Sequence, residues 1–366
     1  MAERVYIHIG APKTGTTYLQ QVCDLNRKAM KAAGVLYPRL PGIAHHSALW
    51  DLRQMWKTRD FNFDVRGDWD KAVRRIVGWE GSAALLSSEL FVYAEKDEIA
   101  KALSAFGDTE VHVVYTARDL VRQVPAVWQE RLRNQRTMRY DVFVADVLGK
   151  SKSGMARSFW TAQDAPRALE RWSKGIPADR VHVVTMPPSG AAPDELWNRF
   201  ASVVGLDGTA YPTEIPPSNT SMGAVEAEAL RRLNQRHGDD MSYAQYRRIV
   251  RFGLFDVLDE VVPDKIKITL SPEEHQALVE RSRTLVSDLR RAGYDVVGDL
   301  ADLLPPDQPK ATEGLRRPDD VTDAEVIDTL LDALYVILKR RAKRSFKNKP
   351  LVRAGDLDEV SESTPD

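Results

Sequence analysis

The sequence predicts an α/β fold: three layers, with a central parallel sheet covered by helices on both faces and helical insertions between the strands. Two observations predict it. Short apolar runs recur at Val5 to Ile9, Ala83 to Ser87, Val111 to Thr116 and Val181 to Thr185. Helical patterns follow the first, third and fourth of them, the first after a glycine-containing loop. Strands that are apolar along their whole length, alternating with helices, belong to parallel sheets buried on both faces.

The elements follow in order. After the first strand, Thr16 to Ala33 reads as one helix that closes before Gly34. Residues 35–70 are rich in Pro, His, Trp and Arg without clear periodicity, and read as a functional loop or lid over the sheet. Helices are expected at 120–134 and, after Pro187-Pro188, at 194–204, with a partly helical insertion at 135–165. Residues 210–223 form a turn-rich connector, and helical patterns return at 224–237 and 272–292. The main domain is expected over 1–305 and a polar, Pro-containing linker over 306–322. An amphipathic helix over 323–349 carries Val326, Ile327, Leu330, Leu331, Leu334 and Ile337 on its apolar face and ends in a basic cluster. The acidic, Ser-rich residues 350–366 read as a disordered tail. A basic amphipathic helix suits an anionic membrane surface, docking on the body, or oligomerisation; a packed or solvated terminal helix is the favoured reading.

Composition narrows the function. Among 366 residues, 52 Lys and Arg nearly cancel 53 Asp and Glu, for a net charge of -1. That balance gives no reason to expect nucleic acid as a partner, so any basic site must be local. A single cysteine, Cys23, rules out an internal disulfide framework and a Cys-rich zinc site. The first residues do not read as a signal peptide, and no run approaches the roughly 18 apolar residues of a membrane span. The expected location is cytoplasmic.

The first strand-to-helix junction reads Gly10-Ala-Pro12-Lys13-Thr14-Gly15-Thr16-Thr17. Such a loop offers backbone N–H groups and a helix N-terminus to an anion, and Thr16 and Thr17 add hydroxyls. Gly10 and Gly15 have the spacing of the nucleotide-binding G-x-x-x-x-G-K-[ST] loop, and Thr17 holds the Ser/Thr position. Thr16 stands where that motif has its lysine, which argues against a magnesium-dependent ATPase or kinase. The loop's lysine is Lys13, on its outer side.

On these residues the chain resembles the 3′-phosphoadenosine 5′-phosphosulfate (PAPS)-dependent sulfotransferases of bacterial type, whose P-loop-like phosphosulfate loop carries a similar PKTGTT. The resemblance spans residues 4–305, through a GYDVVGDLADLLP segment similar to the end of those domains. It implies that Lys13 neutralises the leaving phosphate, that Pro12, Thr14, Gly15, Thr16 and Thr17 hold the 5′-phosphate, and that the product is 3′-phosphoadenosine 5′-phosphate (PAP). The family places an arginine after a later strand and a serine eight residues on, both against the 3′-phosphate. Arg118 matches the arginine, but Ala126 replaces the serine, and Arg122, one helical turn on, is the candidate substitute. Within SNTSMG, Ser221 and Gly223 match an N-x-S-x-G stretch, which implies either closure over the nucleotide or an ordinary helix start at Ser221.

Sulfuryl transfer to a hydroxyl needs a base. Glu89, after the Ala83–Ser87 strand, stands where some relatives of that family place a histidine, and burial at the carboxyl end of a sheet would raise its pKa. His45 and His46 compete for the role. No pattern suggests a metal, and the family needs none. A small-molecule or glycan acceptor is expected, its identity open. A nucleotide kinase or a catalytically degenerate nucleotide-binding protein remains the alternative.

Overall fold

The computed structural model describes residues 2–40, 45–58, 61, 63–150, 154–215, 221–262, 265–307 and 315–348. In chain order, β1 (Arg4–Gly10) leads into α1 (Thr16–Leu25), α2 (Arg27–Ala32), β2 (Val35–Leu36), α3 (His46–Leu52) and α4 (Asp68–Val77). Then come β3 (Ala83–Ser87), α5 (Lys96–Ser104), β4 (Glu110–Ala117), α6 (Leu120–Arg133), α7 (Tyr140–Val147), α8 (Met155–Gln163), α9 (Ala165–Trp172), β5 (Val181–Thr185) and α10 (Glu195–Val203). The rest is α11 (Ala224–His237), α12 (Tyr243–Tyr246), a π-helical run Arg247–Leu254, α13 (Phe255–Val261), β6 (Lys267–Ile268), α14 (Pro272–Ala292), β7 (Asp295–Val297) and α15 (Asp323–Asn348).

The expected α/β class holds. Among the described residues, six strands pair in the order β2-β3-β1-β4-β5-β7, every pair parallel. Successive side chains of a strand point to opposite faces. Val5, Ile7 and Ile9 therefore pack on one side with Trp69 and Ile76 of α4, Ile99 of α5, Trp172 of α9 and Leu289 of α14. Tyr6 packs on the other with Leu19, Val22 and Cys23 of α1 and Trp197 and Phe200 of α10. Both faces are buried, which is why the strands read as mostly apolar runs. From β1 the chain goes to β2 and β3 on one side and then to β4 on the other. The carboxyl end of β1 is thus a switch point, where open α/β sheets form a crevice.

The four expected strands fall within a residue of their places, but the outer strands β2 and β7 are too short to leave a pattern. The single helix expected over Thr16 to Ala33 is two. Asn26 leaves helical geometry at φ -99° and ψ 9°, and its side chain donates to the carbonyls of Val22 and Pro212. The region expected as a loop over 35–70 contains β2, α3 and the first turn of α4, with Leu49, Leu52 and Trp69 in the core. The tail expected at 350–366 lies outside the described residues.

The chain divides into two compact units: Met1–Arg131, Met138–Ser221 and Ile268–Leu315 form the first, and Leu132–Thr137, Met222–Lys267 and Arg316–Asp366 the second. The sheet belongs to the first. In the second, Val257 and Leu258 of α13 pack with Ala333 of α15. Asn234 of α11 ties down the carbonyls of Leu132 and Arg136 and accepts from the Tyr246 hydroxyl at 2.5 Å.

Candidate active site

The loop after β1 sits at the switch point and is held by its carbonyls. Ala11 O accepts from the Thr14 hydroxyl at 2.5 Å. Pro12 O accepts from Gln123 Nε2 of α6 at 2.7 Å and Gln163 Nε2 of α8 at 3.2 Å. Lys13 O accepts from an Arg118 terminal nitrogen at 3.3 Å. Three consecutive acceptors are thereby committed to the protein, while the first N–H groups of α1 have no intrahelical partner by construction. Gly15 starts α1 in the left-handed region, φ 82°, with no side-chain cap. A Cβ there would meet Leu196 Cδ2 at 2.4 Å, so both conformation and packing require glycine. Lys13 itself has φ 68°, a strained value for a residue with a Cβ.

Lys13 Nζ lies 3.3 Å from Glu130 Oε2 of α6. Arg118 is half-buried just past β4, and its Nε has no hydrogen-bond partner among the described residues. Burial, aided by the charge of Arg122, lowers its pKa to about 10, so it stays charged at neutral pH. A buried cation with an idle donor beside a phosphate-type loop is suited to a second anionic group. Arg122 binds the Asp119 carboxylate through its Nε and its backbone N–H.

Below the loop runs a buried polar chain. Thr14 Oγ1 meets Thr116 Oγ1 of β4 at 2.5 Å, and His8 of β1 lies 3.3 Å from Thr116 Oγ1 and 2.8 Å from Ser87 Oγ of β3. Gln20 of α1 donates to Ser87 Oγ at 3.4 Å and to Glu89 Oε2 at 3.1 Å. Burial pushes the His8 pKa down to about 3, so the ring is neutral.

Glu89 opens a 3₁₀ turn capped by Ser88. Its Oε1 lies 4.0 Å from His46 Nε2, and His46 Nδ1 is 2.6 Å from Ser88 Oγ. Ser88 Oγ also accepts from the Leu90 N–H at 3.4 Å. The structure thus brings the two candidate bases together and separates the adjacent histidines. His45 is fully buried, accepts from the Ser87 N–H at Nδ1 and bonds Pro38 O through Nε2 at 2.7 Å. Burial holds its pKa at about 3, and both ring nitrogens are occupied by backbone.

Of the other candidates, Thr17 is exposed at the start of α1 and Thr16 is buried. The Thr14 hydroxyl is committed within the loop. Ser221 is exposed; Gly223, not Ser221, is the N-cap of α11, and it belongs to the second unit. Cys23 is buried, with its thiol pKa pushed up by burial, so it is an inert core residue. Sequence reasoning missed Gln20, Gln123, Gln163, His8 and Glu130. Four of them left a signal: a polar side chain inside an apolar pattern, such as Gln20 beside Leu19, Val22 and Cys23, or His8 within VYIHIG.

No family profile matches the chain, and no curated protein does. Among solved structures, the chain is similar to a sulfotransferase from Alicyclobacillus acidocaldarius, with 13% sequence identity over 69% of this chain and 97% of that one, at a TM-score of 0.41.

Proposed function

We propose that the chain is a sulfotransferase that moves a sulfuryl group from PAPS to a hydroxyl or amine of a small-molecule or glycan acceptor, without a metal. The observation that carries the reading is Arg118. Its guanidinium is bonded to the crest of the phosphate-type loop while its buried Nε stays unpaired among the described residues. A donor with two anionic groups, one at the 5′ and one at the 3′ position, gives both features a use; ADP, with phosphates only on the 5′ side, does not.

The residues present fit that donor in most respects. PAPS, when bound, supplies the sulfuryl group, and PAP is the product. Gly15, Thr16 and Thr17 offer the 5′-phosphate the amino end of α1, where orphan N–H groups and the helix dipole favour negative charge. Lys13 brings an ammonium to the crest, where it stabilises the charge that builds on the leaving phosphate oxygen. Arg118 holds the 3′-phosphate. Ala126 offers no hydroxyl there, and Arg122 is tied to Asp119, so the 3′ contact rests on Arg118.

Glu89 removes the acceptor proton as the acceptor oxygen or nitrogen attacks sulfur. Gln20 fixes one carboxylate oxygen and His46 faces the other, which orients the group. His46, held by Ser88 and facing the Glu89 carboxylate, is a positioning residue rather than the base.

The test is calorimetric titration with PAP and with ADP, without magnesium, on wild type, Lys13→Ala and Arg118→Ala, followed by transfer assays with labelled PAPS. The proposal expects micromolar binding of PAP that discriminates against ADP, and loss of that discrimination in Arg118→Ala. Equal binding of ADP, or a magnesium requirement, would overturn it in favour of a kinase. PAP binding without transfer to any acceptor would leave a binding protein.

A further inference from the structure

The terminal helix α15 has two apolar faces. One is packed: Val326 and Ala333 are buried in the second unit. The other is bare: Ile327, Leu331, Leu334, Tyr335 and Leu338 are each about half exposed or more, from 49% to 63%. At 100° per residue, Ile327, Leu331, Leu334 and Leu338 fall within about 40° of one line, spaced 4, 3 and 4 apart, over about 17 Å. That spacing is the seam of a two-helix coil, and a continuous bare stripe of this kind marks an interaction surface.

We propose that this stripe pairs with the same stripe of a second copy of the chain, antiparallel, about a two-fold axis between Asp332 and Ala333. Charge fixes the occupant and the direction. The amino half of α15 is acidic, with Asp323, Glu325, Asp328 and Asp332; the carboxyl half is basic, with Lys339, Arg340, Arg341 and Lys343. Antiparallel pairing sets Ile327 opposite Leu338 and Leu331 opposite Leu334. It brings Asp328 to Lys339 of the other copy along one flank, and Asp323 to Arg341 along the other. Asp323 already binds Arg232, but its side chain is 84% exposed and keeps room for a second partner. A parallel pair would set like against like at each of these positions, which is unfavourable. An isologous two-fold contact requires a self-complementary surface, and this helix is one. An anionic lipid surface suits it less, because Asp328 flanks the stripe and the amino half of the helix is acidic.

Sedimentation velocity of the full chain across roughly 1–100 μM at moderate salt tests the proposal. The expected result is a concentration-dependent monomer–dimer equilibrium. Leu331→Glu with Leu334→Glu, both at exposed positions, should leave a monomer throughout. Should that variant fail to fold, the charge swap still decides. Asp328→Lys and Lys339→Asp should each weaken the dimer about tenfold, since each change acts twice per dimer, and the two together should restore it. A wild-type monomer at every concentration overturns the proposal, as does a dimer unmoved by the stripe variants or a double swap that does not recover. Monomer that co-sediments with phosphatidylserine vesicles through the stripe would assign the face to a membrane instead.

Discussion

A Cβ placed on Gly10 would stand 2.8 Å from the Cα of Glu89 and 3.0 Å from its carbonyl oxygen. The phosphate-type loop and the candidate base are therefore pressed together where β1 and β3 end side by side. Gly10 also has φ 105°, where an L side chain is strained. Gly10→Ala adds strain and displaces the backbone that carries Glu89. It should lower stability by about 1–3 kcal/mol. It should also lower sulfuryl transfer in the protein that remains folded. Thermal melts and assays well below the melting temperature separate the two effects.

Glu89 and His46 should part in their kinetics. Glu89→Gln keeps the shape and the Gln20 contact but removes the base, so kcat should fall about 10²- to 10⁴-fold with PAP affinity unchanged. His46→Asn removes only the group that faces Glu89 Oε1. Its loss should be smaller and should appear as a displaced pH profile, because the polar ring that faces the carboxylate is gone. Equal losses with the same profile would make His46 the base.

The ion pair between Lys13 and Glu130 is a contact that an incoming phosphate must outcompete. Glu130→Gln removes that competitor and a negative charge near the site. Affinity for PAP should rise about threefold to tenfold and become less sensitive to salt. Titration at two ionic strengths checks both. An unchanged or weaker affinity would mean that Glu130 holds Lys13 in place for the ligand.

How much of this was legible in the sequence follows from how each feature is encoded. The parallel sheet was legible because strands buried on both faces must be largely apolar, as Ala83 to Leu86 is. The loop was legible because Gly10 and Gly15 at that spacing answer a backbone requirement that few other residues meet. The edge strands β2 and β7 were not, since two or three residues carry no period. The break at Asn26 depended on a bond to the Pro212 carbonyl, far away in the chain. The grip of Gln123 and Gln163 on Pro12 likewise joins three elements that only the fold brings together. His45 and His46 look equivalent as neighbours; their roles diverge because one ring points between two backbone groups and the other toward Glu89.

Two buried histidines make stability depend on pH in a defined direction. His8 and His45 both have folded pKa values of about 3, set mainly by burial. In the unfolded chain each returns to about 6.5. Above that pH both states are neutral and the two residues contribute no slope. As pH falls below about 6.5, the unfolded chain takes up protons that the folded chain refuses, so folding loses stability until the slope vanishes near pH 3. Each histidine costs about 1.4 kcal/mol per pH unit in that window, or about 2 kcal/mol between neutrality and pH 5, and the pair about 4 kcal/mol. Urea denaturation at pH 7 and pH 5 measures the loss. His45→Asn starts from lower stability at pH 7, because the Ser87 and Pro38 bonds are disturbed, but it lacks one of the two titrating groups. Its loss between pH 7 and pH 5 should be smaller than that of wild type by about 2 kcal/mol. Identical losses would mean that His45 is protonated in the folded protein and that its two backbone bonds are not those of a neutral ring.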